Sequence, residues 1–178
     1  MDACGPRSGP VQGTIMNPQT KTFIRDMMHP LKFRLFLFFR LPAAYFAGVR
    51  VRSMDERQCT ASVPYKWLSQ NPFRSTYFAC LSMAAEMSTG ALAMAHLHKR
   101  KPPVSMLVVK LEAEFLKKAT GRTRFVCEDG ELFRSAIEET IRTGEAVTVR
   151  ACSTGTSEKG EPIARFYITW SFKAKTTI

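Results

Sequence analysis

The chain has 178 residues, 45% of them hydrophobic, which is ordinary for a globular protein and enough for one sizeable core. Its 26 Lys and Arg against 15 Asp and Glu give a formal net charge of +11, so anionic partners are favoured, whether nucleic acid, anionic lipid or a phosphate-bearing ligand. No uninterrupted apolar run reaches the roughly 18 residues of a membrane span, no secretory signal pattern opens the chain, and five scattered cysteines without a C-x-x-C argue against a disulfide framework or a structural zinc site, so an intracellular, cytoplasmic protein is expected.

Residues 1–15 hold five Gly or Pro and no periodic apolar pattern, and read as a disordered leader with Met16 as a candidate start. Residues 16–178 then form a single domain. Residues 16–46 are a helical extension interrupted by Pro30 and Pro42. Phe23, Ile24, Met27, Met28 and Leu31 follow helical spacing, and a second helical stretch runs over 31–40. There Lys32, Arg34 and Arg40 are interspersed with Phe33, Phe36, Phe38 and Phe39. Such a stripe is expected to pack on its own domain; contact with a membrane surface is the alternative.

Residues 49–54 and 58–63 read as two short strands joined by a polar turn. Residues 67–73 are a loop, where Pro72 disfavours helix at Asn71. Residues 74–98 carry the longest helical pattern and end before Pro102 and Pro103. Cys80, Met83, Ala84, Met87, Ala91 and Met94 form one apolar stripe of it. Ala79, Ser82, Glu86, Gly90 and Ala93 form a second face, of small residues around one acid. Residues 104–116 alternate, with Leu107, Val109, Leu111, Ala113 and Phe115 on one side and Lys110, Glu112 and Glu114 on the other, as in a half-buried antiparallel strand. A strand at 123–128, a helix ended by Gly144, and strands at 146–153 and 163–173 complete the chain. One long apolar helix among six strands predicts an α+β fold, an antiparallel sheet wrapped on a central helix.

The most informative stretch is Asn71-Pro-Phe-Arg-Ser-Thr-Tyr-Phe-Ala-Cys-Leu-Ser-Met-Ala-Ala-Glu86, in which fifteen residues separate a polar loop residue from a lone helical carboxylate. A carboxylate on a small, apolar surface must be solvated by a cavity, paired, or used. Taken alone, Asn71 organises its loop or caps the helix, and Glu86 pairs with a cation across an interface. Residues 96–101, His-Leu-His-Lys-Arg-Lys, read either as a solvated helix end whose cations suit the dipole or as a phosphate site. His96 and His98 are two apart and share no helix face, so no metal is expected.

The order of elements and the Asn-to-acid separation resemble PaaI-type hotdog thioesterases over residues 49–172. Their motif reads H-N-x-x-G-x-x-H-G-G, followed by an acid on the helix. Asn71 matches the motif Asn and Glu86 the catalytic acid. Gln70 stands for the first His and Arg74 for the first Gly, while Tyr77, Phe78 and Ala79 stand where His-Gly-Gly would be. Residues 111–119, Leu-Glu-Ala-Glu-Phe-Leu-Lys-Lys-Ala, resemble the family's strand ending in Leu-x-Pro-Ala. These departures bring the chain closer to a poorly characterised hotdog branch.

The resemblance implies a hotdog fold, a homodimer or dimer of dimers, and hydrolysis of an acyl-CoA thioester at the dimer interface. It implies Glu86 as general base or nucleophile and Asn71 as the group orienting water or the carbonyl. The backbone N–H groups of Phe78 and Ala79 would form the oxyanion hole, with Lys99, Arg100 and Lys101 at the coenzyme phosphates. Coenzyme A enters only as part of the substrate; no cofactor is expected. The second reading is an acyl- or acyl-CoA-binding module of the same fold without turnover. Nucleic-acid binding lacks a helix-turn-helix, zinc or RNP-type signature, and a hotdog dehydratase lacks a His at the start of the long helix.

Overall fold

Pro30 and Pro42 cut the N-terminal segment into three helices, α1 (Pro18–Met28), α2 (Pro30–Arg40) and α3 (Pro42–Ala47). Proline is well placed there, because the first helical N–H has no partner in any helix. The computed structural model describes residues 18–175; the leader expected over residues 1–15 lies outside them. Of the aromatic stripe on α2, only Phe33 and Leu37 are buried. The expectation that the stripe packs on its own domain is therefore met on one face alone.

The rest of the chain runs β1 (Arg50–Met54), β2 (Cys59–Val63), a short turn of 3-10 helix (Trp67–Ser69), α4 (Phe78–Leu97), β3 (Val104–Phe115), β4 (Thr123–Cys127), α5 (Gly130–Thr143), β5 (Val147–Thr156) and β6 (Pro162–Ala174). All six strands pair antiparallel in the order β1-β2-β4-β5-β6-β3, and α4 lies against β2, β4 and β5. This is the hotdog architecture, with α4 as the wrapped helix. By length and composition α4 would also suit a membrane span, but two thirds of it is buried inside the domain, which is what its apolar character serves. Phe125, Phe166, Leu92 and Ile168 are among the fully buried side chains, and the Phe125 and Phe166 rings meet edge-on at 5.6 Å.

Two differences from the sequence reading bear on the site. The long helix starts at Phe78, four residues after Arg74. Arg74 has a left-handed backbone (φ 56), Gln70 and Thr76 form an antiparallel bridge, and the Thr76 N–H donates to the Ala119 carbonyl at 2.8 Å. Those bonds hold Thr76 and Tyr77 extended, after a bend at 74–75, and so keep the helix from starting earlier. In β3 the register shifts between Val108 and Lys110, leaving Val109 as a bulge. Leu111, Ala113 and Phe115 stand opposite the buried Ile168, Phe166 and Ala164, so they share the α4 side of the sheet. Leu107 stands opposite Ser171 and falls on the outer side with Lys110, Glu112 and Glu114. The bulge thus breaks the single alternating face, and most of this edge strand is exposed.

Candidate active site

The loop before α4 is built around Asn71. Its Oδ1 accepts from the Phe73 N–H (3.0 Å), the Ser75 N–H (3.2 Å) and the Ser75 hydroxyl (3.2 Å), and its own N–H donates to the Ser75 carbonyl (2.9 Å). This is an Asx-type loop. Asn71 does organise the turn, and its Nδ2 donates to no group among the described residues. Tyr77 is the N-cap of α4 without a side-chain cap, and the Cys80 and Leu81 N–H groups both donate to its carbonyl. The N–H groups of Phe78 and Ala79 have no acceptor among the described residues. Two adjacent donors at the positive end of a helix are an anion-binding arrangement.

Glu86 is half-buried, and burial alone raises its carboxyl above the ordinary glutamate range. Its side chain makes no hydrogen bond or ion pair within the described residues. The carboxylate lies over Gly90, next to the Trp170 ring: a Cβ on Gly90 would meet Glu86 Oε1 at 2.9 Å and the indole at 3.3 Å. The Trp170 indole N–H donates to Thr89 Oγ1 (3.1 Å), whose hydroxyl donates to the Glu86 carbonyl (3.1 Å). That chain fixes the ring against the helical turn that carries the acid. Trp170 also pairs with Val108, so the β3 bulge lies beside this site.

Aromatic rings line the helix start. Tyr77 meets Phe78 at 4.9 Å, Phe78 meets Phe115 at 6.4 Å, and Phe115 meets Phe166 at 5.7 Å. Tyr77, Phe78 and Phe115 are all exposed. An apolar wall therefore stands beside the two free donors, suited to a greasy ligand with one polar reacting group.

The structure does not gather every expected residue in one place. Eight residues of α4 separate Phe78 from Glu86, about 12 Å along the axis. Lys99, Arg100 and Lys101 lie past the opposite end of α4, roughly 20 Å beyond Glu86 by the same rise. Arg100 Nε donates to the His96 carbonyl at 3.0 Å, and its guanidinium lies 3.9 Å from Glu138. His96 Nε2 lies 2.9 Å from the Glu56 carbonyl, which can only accept, so that nitrogen carries the proton. Burial holds the ring below its ordinary value and neutral. No group of three or more His, Cys, Asp or Glu among the described residues stands ready for a metal. Burial pushes the Cys59 thiol up to about 12, so it is no nucleophile. Sequence reasoning missed Thr89 and Trp170. Thr89 follows Glu86 by three residues, the helical spacing of neighbours; nothing local marks Trp170.

A family model described as a domain of unknown function, DUF4442, matches residues 32–172. No curated protein is significantly similar to the chain. Solved structures share its fold. A Pseudomonas aeruginosa protein of unknown function, a probable thioesterase, is 20% identical with a TM-score of 0.69, over 84% of this chain and 99% of that one. A thioesterase from the same organism, solved as a Gln-to-Ala variant, is 17% identical with a TM-score of 0.61, over 83% and 96%. A Staphylococcus aureus thioesterase, also solved as a Gln-to-Ala variant, is 14% identical with a TM-score of 0.56, over 71% and 94%. That protein was solved as well with a glutamate, fifteen residues beyond the glutamine, replaced by alanine.

Proposed function

The chain belongs to the DUF4442 family, and on that premise we propose that it hydrolyses an acyl-CoA thioester, acting as a homodimer joined along β3. The carrying observation is the half-buried carboxylate of Glu86 on the wrapped helix, without a partner among the described residues. The thioesterase names of proteins with this fold support the reaction class. The fifteen-residue separation of the two positions replaced in the Staphylococcus aureus thioesterase equals that between Asn71 and Glu86, which supports this pair as working groups.

The reaction runs as follows. The thioester carbonyl oxygen accepts from the Phe78 and Ala79 N–H groups, with the acyl chain along the aromatic wall. Glu86 takes a proton from water as the hydroxyl attacks the carbonyl carbon, and the developing oxyanion is held by the two donors. The C–S bond then breaks, the thiolate takes the proton back, and a carboxylic acid and free coenzyme A leave. The Asn71 Nδ2 orients the water or the carbonyl. Pairing of two β3 edges about a two-fold axis sets the α4 helices antiparallel, so each helix start faces the other protomer's Glu86 and the axial separation within one chain is bridged. Lys99, Arg100 and Lys101 supply charge for the coenzyme phosphates.

The second reading, a binding module without turnover, is favoured by the Phe78 ring, which crowds the approach to the donors from its contacts with Tyr77 and Phe115. Thiol release from a panel of acyl-CoAs, with wild type beside Glu86→Gln, separates the two. Release by wild type that is lost in the variant supports hydrolysis. Binding without release by either protein establishes the module.

A further inference from the structure

No element among the described residues covers the outer face of α2. Leu31 is 67% exposed, Leu35 58%, Phe39 72% and, at the following corner, Phe46 51%. At 3.6 residues per turn, Leu31, Leu35, Phe38 and Phe39 fall in an arc of about 100°, on the side opposite Phe33 and Leu37. The helix is thus apolar on both sides: one packs on the domain, the other faces outward. Such a surface is too large and too continuous for scattered exposed hydrophobics.

Charge identifies what covers it. By the same spacing Arg34 and Lys32 stand on the two flanks of the outward arc, while Arg40 falls on the Phe33 side at the helix end. No acid lies between Asp26 and Asp55, while Lys32, Arg34, Arg40, Arg50 and Arg52 all fall there. Lys32 is held by Asp26 at 2.7 Å, while Arg34 reaches the Tyr45 hydroxyl at 3.2 Å and stands 5.6 Å from the centre of that ring, with no acid partner among the described residues. A second copy packed on this face would bring two Arg34 charges together. An anionic lipid surface accepts the apolar arc and its cationic flanks together. The helix has 11 residues, about 16 Å, roughly half the hydrocarbon thickness, so it lies in the interface and does not cross it.

We propose that α2 and the α2–α3 corner dock the protein on anionic membranes, with Leu31, Leu35, Phe38 and Phe39 inserted among the acyl chains and Arg34 at the headgroups. This docking is independent of the proposed hydrolysis. The test is flotation of the full chain with phosphatidylcholine vesicles, with and without phosphatidylserine. Wild type floats with the phosphatidylserine vesicles, and added salt weakens the association. Leu35→Glu combined with Phe39→Glu abolishes flotation while the melting temperature holds, because both side chains are exposed. Arg34→Gln weakens partition to anionic vesicles about fivefold. Three results overturn the proposal: wild type that stays in solution with anionic vesicles, either variant floating as well as wild type, or a Glu variant whose sedimenting mass in the absence of lipid falls below that of wild type, which would make this face a contact between copies.

Discussion

The carboxylate of Glu86 folds over Gly90 so closely that a methyl group on residue 90 would stand 2.9 Å from its Oε1. Only a residue without a Cβ leaves the acid where it is. In Gly90→Ala the flexible end of Glu86 must move and the Trp170 ring, 3.3 Å from the new methyl, must give by a few tenths of an ångström, a strain set against the roughly 1 kcal/mol by which alanine favours the helix. The melting temperature is therefore expected to change little. Displacing the acid by about 1 Å should cost roughly 10²-fold in thiol release. A variant with wild-type turnover would show that the position of Glu86 is irrelevant to the chemistry.

Glu86→Gln is expected to lower turnover by about 10²–10⁴ and to make the protein more stable at neutral pH. Burial raises the folded carboxyl above its unfolded value. Between those two values the native state holds more protons than the unfolded chain, so stability is greatest below the window and falls as pH rises through it. Above the window an ionised, desolvated carboxylate persists as a cost that the amide removes. Thermal melts from acid to neutral pH should show the variant's advantage growing with pH. A variant that melts lower at neutral pH would mean that Glu86 is paired in the assembled protein. In wild type, turnover should decline on acidification through the raised value.

Asn71 allows fold and chemistry to be separated. Asn71→Ala strands the Phe73 and Ser75 donors and should cost about 1–2 kcal/mol. Asn71→Asp keeps an acceptor at the Oδ1 position and should melt close to wild type, yet it lacks the Nδ2 donor proposed to orient the substrate. Loss of thiol release in this stable variant is expected. Full turnover in Asn71→Asp would limit the residue to its loop.

The unpaired β3 edge predicts assembly. On the edge of β3 away from β6, no strand among the described residues pairs with Val104–Phe115, and its alternate backbone donors and acceptors invite a second copy. Wild type should sediment as two chains, and Leu111→Lys, on the α4 side of that edge, should sediment as one while keeping its far-ultraviolet circular dichroism. A monomeric wild type over a wide concentration range would remove the bridging of helix start and acid on which the mechanism depends.

The wrapped helix and the strands are legible from hydrophobic period and from the Gly and Pro residues between them. The start of α4 is not, because residues 74–77 look helical in composition, while Thr76 is bonded to Ala119, 43 positions away, and a bend at 74–75 leads into it. The Val109 bulge is hidden for a related reason: alternation in β3 continues through it, and only pairing with β6 shows that Leu107 has changed sides. Asn71 and Glu86 stand out by spacing, but the surroundings of the acid do not. Trp170 reaches Thr89 across 81 positions, a distance no local window spans. The outward face of α2 is legible as an aromatic, basic stripe, while its exposure among the described residues is a property of the packed domain.

The place of β3 in the sheet also bears on how the chain is made. Val104 pairs with Ala174, seventy residues later, and Phe115 with Ala164, so β3 leaves the ribosome long before its partner exists. Throughout that interval it is a nascent strand carrying Leu107, Val108, Val109 and Leu111, a sequence prone to join whatever strand it meets. Lys110, Glu112 and Glu114 interrupt the apolar run at alternate positions and act as gatekeepers against misassembly. Once β6 arrives, Glu114 meets Arg165, while Glu112 meets Arg150 of β5, so residues that protect the waiting strand become part of its final registration.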